Sequence, residues 1–389
     1  MLKETTIDRQ LPMLDLRLEY EYMKADIDLA IARCLDHQKW ILGPEVKELE
    51  RNVAEYLGAR HCIGCSSGTD ALVLALRAVA IKRTGAEFFD KSDEVITTPF
   101  TFTATGDAIL RSGATPVFVD IDPSTFNISA KGIKEYLSKN KGRVAGIIPV
   151  HLYGQACDMA EIITLARENG LFIIEDVAQA FGSDWRGKKL GTMGDAGCYS
   201  FFPSKNLGGF GDAGMVASDD DGIAELARML LKHGGKDKYN VDHVGYNARI
   251  DTLHAAVLLA KLKYIDEFNS KRRKIAAIYQ NELGSMGEIT LPTETDGCNH
   301  VFHQYTIRAG GGNRDLLQAH LSGNHISTMV YYPVPLHDML VFKNGRTIKG
   351  GDLSFSEQAV REVLSLPIEP LMKKEDVFFV CGKIKEFFS

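Results

Sequence analysis

Short apolar runs alternate with amphipathic stretches along the first three-fifths of the chain. HCIGCSS precedes ALVLALRAVAIK, DEVITTP precedes TATGDAILRSG, and TPVFVDID follows. VAGIIPVHLYG then leads into AEIITLARENG, with LFIIED behind it. Unbroken Val/Ile/Leu runs separated by helical patterns predict a parallel sheet covered on both faces. GCYSFFP and GMVASD come close together with no helix between them, which predicts two further strands and a mixed sheet. Beyond Arg249 the pattern changes. DTLHAAVLLAKLKYIDEFNSKRRKIAAIYQNEL reads as one long helical stretch, apolar on one stripe and rich in Lys and Arg on the other. It leads into strands near HVFHQYTIRA and HISTMVYYP and a closing helix from Glu375. The expected fold is therefore α/β. A large domain over residues 1–250 holds a mixed, mostly parallel sheet with helices on both faces, and a smaller C-terminal α/β domain spans 251–389. No Gly/Ser/Pro-rich linker divides them, so the two are expected to form one working unit.

Composition narrows the setting. The 389 residues carry a formal charge of -6 and no long basic cluster, which gives no electrostatic case for nucleic acid. No apolar run approaches the ~18 residues that span a bilayer, and MLKETTIDRQ has no apolar signal core. Seven scattered cysteines predict reduced thiols and a cytoplasmic protein. Cys62 and Cys65 form a C-x-x-C without the second pair that a structural zinc site wants, so they read as small residues of a buried strand and no metal is expected. The sequon Asn127-Ile128-Ser129 has no meaning in that compartment.

Chemistry concentrates in SFFPSKNLGGFGDAG, from Ser200 to Gly214. Gly209, Gly211 and Gly214 match a G-x-G-x-x-G dinucleotide turn, but that fingerprint needs a helix behind it and an acidic residue about 20 positions on. MVASDDDG has strand and turn character instead, and Asp219 to Asp221 lie too close. The other feature is Lys205. Covalent chemistry at a lysine amine most often involves pyridoxal phosphate. Such a site needs an anion for the pyridinium nitrogen, a phosphate cradle, a ring to stack, and a polar group near the phenolic oxygen.

Each part has a candidate and a plainer reading. LFIIEDVAQAFG ends a buried strand in Glu175 and Asp176, where a carboxylate keeps a ring nitrogen protonated or caps the next helix. Gln179 follows three residues later. CSSGTDAL places Thr69 at a helix start, an anion site or an N-cap by Ser67 or Thr69. Ser200 adds a hydroxyl. Phe100 or Phe102 in TPFTFTATGD offers a ring for stacking or packs in the core. All of these fall on successive strand ends of one predicted sheet, the edge where open α/β sheets bind ligands.

With these residues assembled, the chain resembles the DegT family of sugar aminotransferases, within the fold-type I pyridoxal-phosphate enzymes. The resemblance runs from KWILGPEVKELE to LSLPIEP through SSGTDAL, EVITTPFTFTAT, ATPVFVDIDPSTFNI, IIPVHLYGQACDM, IIEDVAQAFG, YSFFPSKNLGGFGDAG and GYNARIDTLHAA. It implies that Lys205 carries the cofactor and shuttles protons. Asp176 pairs with the pyridinium nitrogen, Gln179 lies near the phenolic oxygen and Phe102 stacks on the ring. Gly68, Thr69 and Ser200 hold the phosphate. Asn247 matches a family asparagine that reaches the phosphate from a partner subunit, which implies a homodimer with shared sites, and Arg249 matches a partner-chain substrate contact. A side branch of the family replaces the lysine with histidine and removes a hydroxyl; Lys205 is kept here, which favours amino transfer from glutamate to a nucleotide-linked keto sugar.

The FFPSKNLGGFGDAG loop, HQYTIR and YYPVPLH resemble members acting on 3-keto sugars, and the lean is toward a UDP-linked 3-keto hexuluronic acid for surface-polysaccharide amino-sugar synthesis. The alternatives are a dTDP-3-keto-6-deoxyhexose, a 4-keto sugar or another pyridoxal-phosphate reaction. Tyr331 stands where many relatives carry histidine, and IKRTGAEFFDKSD is longer and more polar than usual. A non-catalytic regulator would have lost Lys205 or Asp176, and both are present. Trp40, Tyr331, Tyr332 and His337 are the candidate sugar contacts. His151 reads as packing against the cofactor site, and His325 as starting a small-domain strand.

Overall fold

The computed structural model describes residues 9–140, 144–237, 239–343 and 345–389; most of the MLKETTIDRQ segment lies outside them. The alternating pattern becomes five parallel strands and their crossover helices: β1 (His61–Cys65), β2 (Glu94–Thr97), β3 (Thr115–Phe118), β4 (Val144–Ile147) and β5 (Phe172–Asp176). Together with Ala196–Ser200, Gly214–Ser218 and Ile348–Lys349 they make one eight-stranded sheet. Its order is β1, Gly214–Ser218, Ala196–Ser200, β5, β4, β2, β3, Ile348–Lys349. Only Gly214–Ser218 runs antiparallel to its neighbours, as two adjacent strands without a crossover helix require. The sheet is mixed and mostly parallel, as expected.

Burial on both faces explains the continuous apolar runs. On one face Ile63, Val95, Phe172, Ile174 and Val216 pack against α3 (Gly68–Thr84) and α4 (Thr103–Arg111). On the other, Cys62, Met215 and Ala217 meet α2 (Pro44–Leu57), while Ile96, Ile147 and Ile173 meet the helices Ala130–Lys139 and Met159–Asn169. Residues three apart on a strand face opposite ways, so Cys62 and Cys65 belong to different packing clusters and cannot act as a pair. Burial pushes both thiols up.

Two expectations need correction. The long stretch after Arg249 is two helices, Thr252–Leu262 and Ile265–Leu283. The break falls where Lys263 Nζ and Tyr264 Oη donate to Asp26 of α1 (Leu16–His37) at 2.7 and 2.5 Å. This tertiary anchor is invisible to periodicity. HISTMVYYP forms no strand, only single bridges of Ile326 with Leu11 and Met329 with Ser365. His325 does not start a strand; it turns the chain after the helix Asn313–Gly323 with φ 60°. The strand Tyr305–Ala309 and a final helix, Lys374–Phe388, are both formed. Among the described residues no helix is long and apolar enough to cross a membrane.

Candidate active site

The C-terminal ends of β1, β2, β5 and Ala196–Ser200 bring the chemistry together. Period-two alternation decides between the two acids of β5. Asp176 shares the face of Phe172 and Ile174, toward α3 and α4, and Glu175 shares the face of Ile173. Asp176 is buried; its Oδ2 accepts from Thr105 Oγ1 at 2.8 Å and its Oδ1 from the Ala178 amide at 3.1 Å. Burial raises its carboxyl, opposed by Thr105, Ala178 and the Lys205 charge. The helix-cap reading is therefore not what holds it, since its one backbone donor closes a short turn.

Lys205 is half-buried in the loop after Ala196–Ser200, with its amide donating to the Phe202 carbonyl at 2.8 Å. Loss of hydration lowers its amine to about 8, although the Asp176 charge pulls the other way. An amine in that range is available both as a nucleophile and as a proton carrier near neutral pH.

The turn before α3 is a tight cradle. Ser67 caps the helix, accepting from the Asp70 amide at 3.0 Å. The first N–H groups of any helix have no intrahelical acceptor and carry the positive end of the dipole. A Cβ on Gly68 would stand 2.5 Å from the Ser200 Cβ, and one on Gly214 would stand 2.3 Å from the Ser67 carbonyl oxygen. Both glycines permit this approach, which sets the Ser200 hydroxyl beside the helix start and Thr69. Gly214 opens a strand where a dinucleotide turn opens a helix, so the dinucleotide reading fails.

Of the two phenylalanines, Phe100 is wholly buried, whereas Phe102 is 56% exposed and lies 6.1 Å from the Tyr332 ring. Gln179 is held at both ends: Oε1 accepts from the Tyr153 amide at 2.8 Å, and Nε2 donates to Tyr332 Oη at 2.7 Å. Tyr153 in turn donates through Oη to the Tyr331 carbonyl. The chain thus links Gln179, Tyr332 and Tyr331 into one wall. A flat aromatic ligand with an anionic tail and a basic ring nitrogen fits this set of groups: a dipole-backed cradle, a buried carboxylate, an exposed ring and a lysine of lowered pKa.

Other predicted residues lie elsewhere. Asn247 is exposed, and its Oδ1 accepts from Arg249; their segment pairs with the end of β1 through the Ser66 amide and the Ala248 carbonyl, 2.9 Å apart. The Arg249 Nε is buried without a partner. Trp40 stands on the turn between α1 and α2, its carbonyl accepting from the Thr252 amide at 2.9 Å. His337 is buried, 3.3 Å from Glu357 Oε1, and burial lowers its ring pKa. No hydrogen bond, ion pair or ring contact among the described residues joins these four to Lys205 or Asp176.

The His151 ring bonds to Glu175 and not to the Asp176 carboxylate. Its Nδ1 accepts from the Cys157 amide at 3.1 Å, so Nε2 carries the proton donated to Glu175 Oε2 at 3.0 Å. Glu175 also accepts from the amides of Gly191, Met193 and Gly194 at 2.7 to 2.8 Å. Burial would raise this carboxyl, but His151 and the backbone donors outweigh it and hold it below its usual value. Its stabilising ionisation is present above the unfolded carboxyl pKa and is lost as pH falls through the lowered folded one. Glu175→Gln turns an amide toward backbone donors and is expected to cost about 3 kcal/mol. Urea midpoints between pH 4 and 8 check this; an unchanged midpoint would refute it.

Sequence reasoning missed several groups around the lysine. Thr105 reaches Asp176 from the first turn of α4. His303 is buried, its Nδ1 3.1 Å from Asn206 Oδ1, and the Asn206 amide donates to Asn269 Oδ1 at 2.7 Å and to the Val301 carbonyl at 3.3 Å. Burial first, then the Lys205 and Arg272 charges, hold His303 far below its ordinary pKa. Nothing local in the HQYTIR segment points to the neighbour of Lys205.

Residues 21–385 match the DegT/DnrJ/EryC1/StrS aminotransferase family. A "pleiotropic regulatory protein" of Geobacillus stearothermophilus is 46% identical over 97% of this chain and 98% of its own. The UDP-N-acetyl-3-dehydro-alpha-D-glucosamine 3-aminotransferase of Acidithiobacillus ferrooxidans is 40% identical over 98% of each. The UDP-2-acetamido-2-deoxy-3-oxo-D-glucuronate aminotransferase of Pseudomonas aeruginosa is 37% identical over 95% and 98%. Among solved structures, S. venezuelae DesV in complex with a ketimine intermediate superposes with TM-score 0.91 at 37% identity, over 97% and 98% of the two chains.

Proposed function

The chain belongs to the DegT/DnrJ/EryC1/StrS aminotransferase family, and on that premise we propose that it moves the amino group of glutamate onto carbon 3 of a UDP-linked 3-keto hexose, favouring a 3-keto hexuluronic acid. It is an aminotransferase that works with pyridoxal 5′-phosphate. The observation that carries the site assignment is the convergence of a buried carboxylate, Asp176, and a lysine lowered to about 8 at adjacent strand ends.

When bound, the cofactor supplies the carbonyl that takes up the amino group and the electron-withdrawing ring. The chain's residues do the rest. Gly68, Thr69 and Ser200 bind the phosphate at the α3 start. Asp176 would hold a proton at the ring nitrogen, and Phe102 would offer its exposed ring for stacking. Gln179 presents its amide beside the phenolic oxygen. Lys205 would hold the cofactor through Nζ, and its neutral amine would take up and carry the α-proton of glutamate. With the keto sugar as acceptor, the same amine would deliver the proton to the sugar carbon that receives the amino group. Two 3-aminotransferase relatives with UDP-linked substrates support the acceptor class. The unpartnered Arg249 Nε supports a carboxylate at carbon 6, since a guanidinium favours bidentate pairing. Trp40, Tyr331, Tyr332 and His337 complete the proposed sugar pocket between the 1–250 and 251–389 domains. The enzyme is cytoplasmic and serves amino-sugar synthesis for surface polysaccharide.

The working unit is a homodimer in which Asn247 and Arg249 reach the partner's site. Lys205→Ala and Asn247→Asp are each expected to be inactive, the second by setting like charge against the phosphate. Mixed one to one with subunit exchange, they should recover about a quarter of wild-type activity, because half the dimers carry one intact site. No recovery despite exchange removes the shared-site proposal. The acceptor is tested with glutamate and a panel of UDP- and dTDP-linked 3-keto and 4-keto sugars, following 2-oxoglutarate and the amino sugar by mass spectrometry. Turnover confined to 4-keto or dTDP-linked acceptors overturns the substrate proposal. Failure to consume any amino donor would favour a regulator.

A further inference from the structure

Away from the lysine loop, three candidate ligands converge where α1 turns into α2. Cys34 and His37 are three residues apart on the last turn of α1, and therefore on one helix face. Glu45 is the second residue of α2. One ligand atom from each lies within 4.8 Å of the others, the one such group found among the described residues.

The hydrogen bonding leaves this group incomplete. Glu45 Oε1 pairs with His37 Nε2 at 3.0 Å, but Glu45 Oε2 is buried with no partner at all. The fully buried Cys34 thiol has only the Thr252 carbonyl at 4.0 Å, the outer limit for a sulfur contact. A buried carboxylate oxygen without a donor calls for a cation. We propose that Cys34, His37 and Glu45 bind one zinc-type divalent transition metal, with water in the fourth position.

The donor set selects the metal class. Thiolate and imidazole disfavour magnesium and calcium, which want oxygen ligands. Thiolate and carboxylate together balance the metal's two positive charges, as a buried site demands. Tetrahedral zinc at ~2.3 Å from sulfur and ~2.0 Å from nitrogen and oxygen sets its ligands roughly 3.3–3.6 Å apart. The group therefore has to close by about an ångström, within reach of the half-exposed His37 ring. One proton leaves for solvent, from the thiol. The imidazole keeps its own, moved to Nδ1, so the Lys39 amide now bonded to Nδ1 at 3.0 Å turns to water.

Such a metal would be a clamp, not a catalyst. It closes the turn 38–43, which carries Trp40 and is tied to Thr252 through the Trp40 carbonyl and the Gly43 amide, the latter 3.0 Å from Thr252 Oγ1. Thr252 lies three residues beyond Arg249 on the same segment.

The test is a cobalt(II) titration of tag-free holoenzyme after chelator dialysis, read as difference spectra. One equivalent per chain should give a thiolate-to-cobalt charge-transfer band and the ligand-field bands of four-coordinate metal, both removed by zinc. Cys34→Ser should abolish the charge-transfer band. Glu45→Gln and His37→Ala should weaken cobalt binding roughly tenfold or more, measured on variant protein shown to be folded by circular dichroism. Zinc should raise the wild-type melting temperature and leave the variants unmoved. The proposal is overturned by the absence of a thiolate band, or by one that persists in Cys34→Ser. Unchanged cobalt affinity in Glu45→Gln and His37→Ala overturns it even if Cys34→Ser fails to fold.

Discussion

Lys205→Ala is expected to slow the conversion of glutamate to 2-oxoglutarate by about 10²–10⁴-fold in single turnover, the range that a positioned proton carrier contributes. The same variant should lose the borohydride-sensitive visible absorbance of the wild type with cofactor. Lys205→Arg should not restore the rate, because a guanidinium stays protonated and cannot carry the proton. A small primary amine added to Lys205→Ala should restore part of it, which a merely structural lysine would not allow. The pH dependence follows from the amine being lowered to about 8. Only the neutral amine attacks, so cofactor uptake by the apoprotein should rise about tenfold per pH unit below 8 and level off above it. A flat profile, or wild-type turnover in Lys205→Ala, would remove the lysine from its proposed role.

The surroundings of this lysine are legible in the amino-acid sequence to the extent that they depend on local pattern. Unbroken apolar runs report two-sided burial directly, so the order of strands and helices through β5 and the antiparallel insertion of Gly214–Ser218 can be read from them. The lysine loop stands out because GFGDAG lacks the helix that a dinucleotide turn needs. What stays hidden depends on contacts between distant segments. Asp26 breaks a continuous helical pattern at Lys263 and Tyr264 by capturing both side chains. HISTMVYYP has strand composition, but Pro333 and Pro335 cannot donate to a ladder, and the segment makes only single bridges, Ile326 with Leu11 and Met329 with Ser365. Glu175 and Asp176 are adjacent acids whose different fates follow from the pleat alone. Thr105 reads only as part of a helix pattern, since its partner Asp176 sits on another strand. The Cys34, His37 and Glu45 group escapes because its spacing matches no metal motif; only the turn of the chain brings the three together.

Asp176→Asn is expected to lower kcat/KM by about 10²–10³-fold, the usual loss when one preorganised electrostatic partner is removed, while leaving the apoprotein at least as stable as the wild type. The two halves of this prediction have one cause. The Asp176 carboxylate is buried with two donors, Thr105 Oγ1 and the Ala178 amide, and no contact ion pair among the described residues. Burial raises its carboxyl, so without cofactor the fold carries the ionised form at a cost absent from the unfolded chain. For a raised acid, stability is fully present below the unfolded carboxyl pKa and is lost as pH rises through the folded value. Asparagine has nearly the same shape and nothing to ionise, and the Thr105 hydroxyl can rotate to accept from its amide. The melting temperature of Asp176→Asn apoprotein should therefore match the wild type below the unfolded carboxyl pKa, exceed it as pH rises through the folded value, and hold that difference above it. With cofactor bound the order should reverse, because only the carboxylate favours a protonated ring nitrogen. Thr105→Val should act in the same direction as Asp176→Asn on activity, but more weakly, since it removes one donor and leaves the charge. A variant that loses stability along with activity at every pH would mean that Asp176 holds the fold together and is not a charge stored for the cofactor. The carboxylate's cost to the apoprotein is the structural trace of its use.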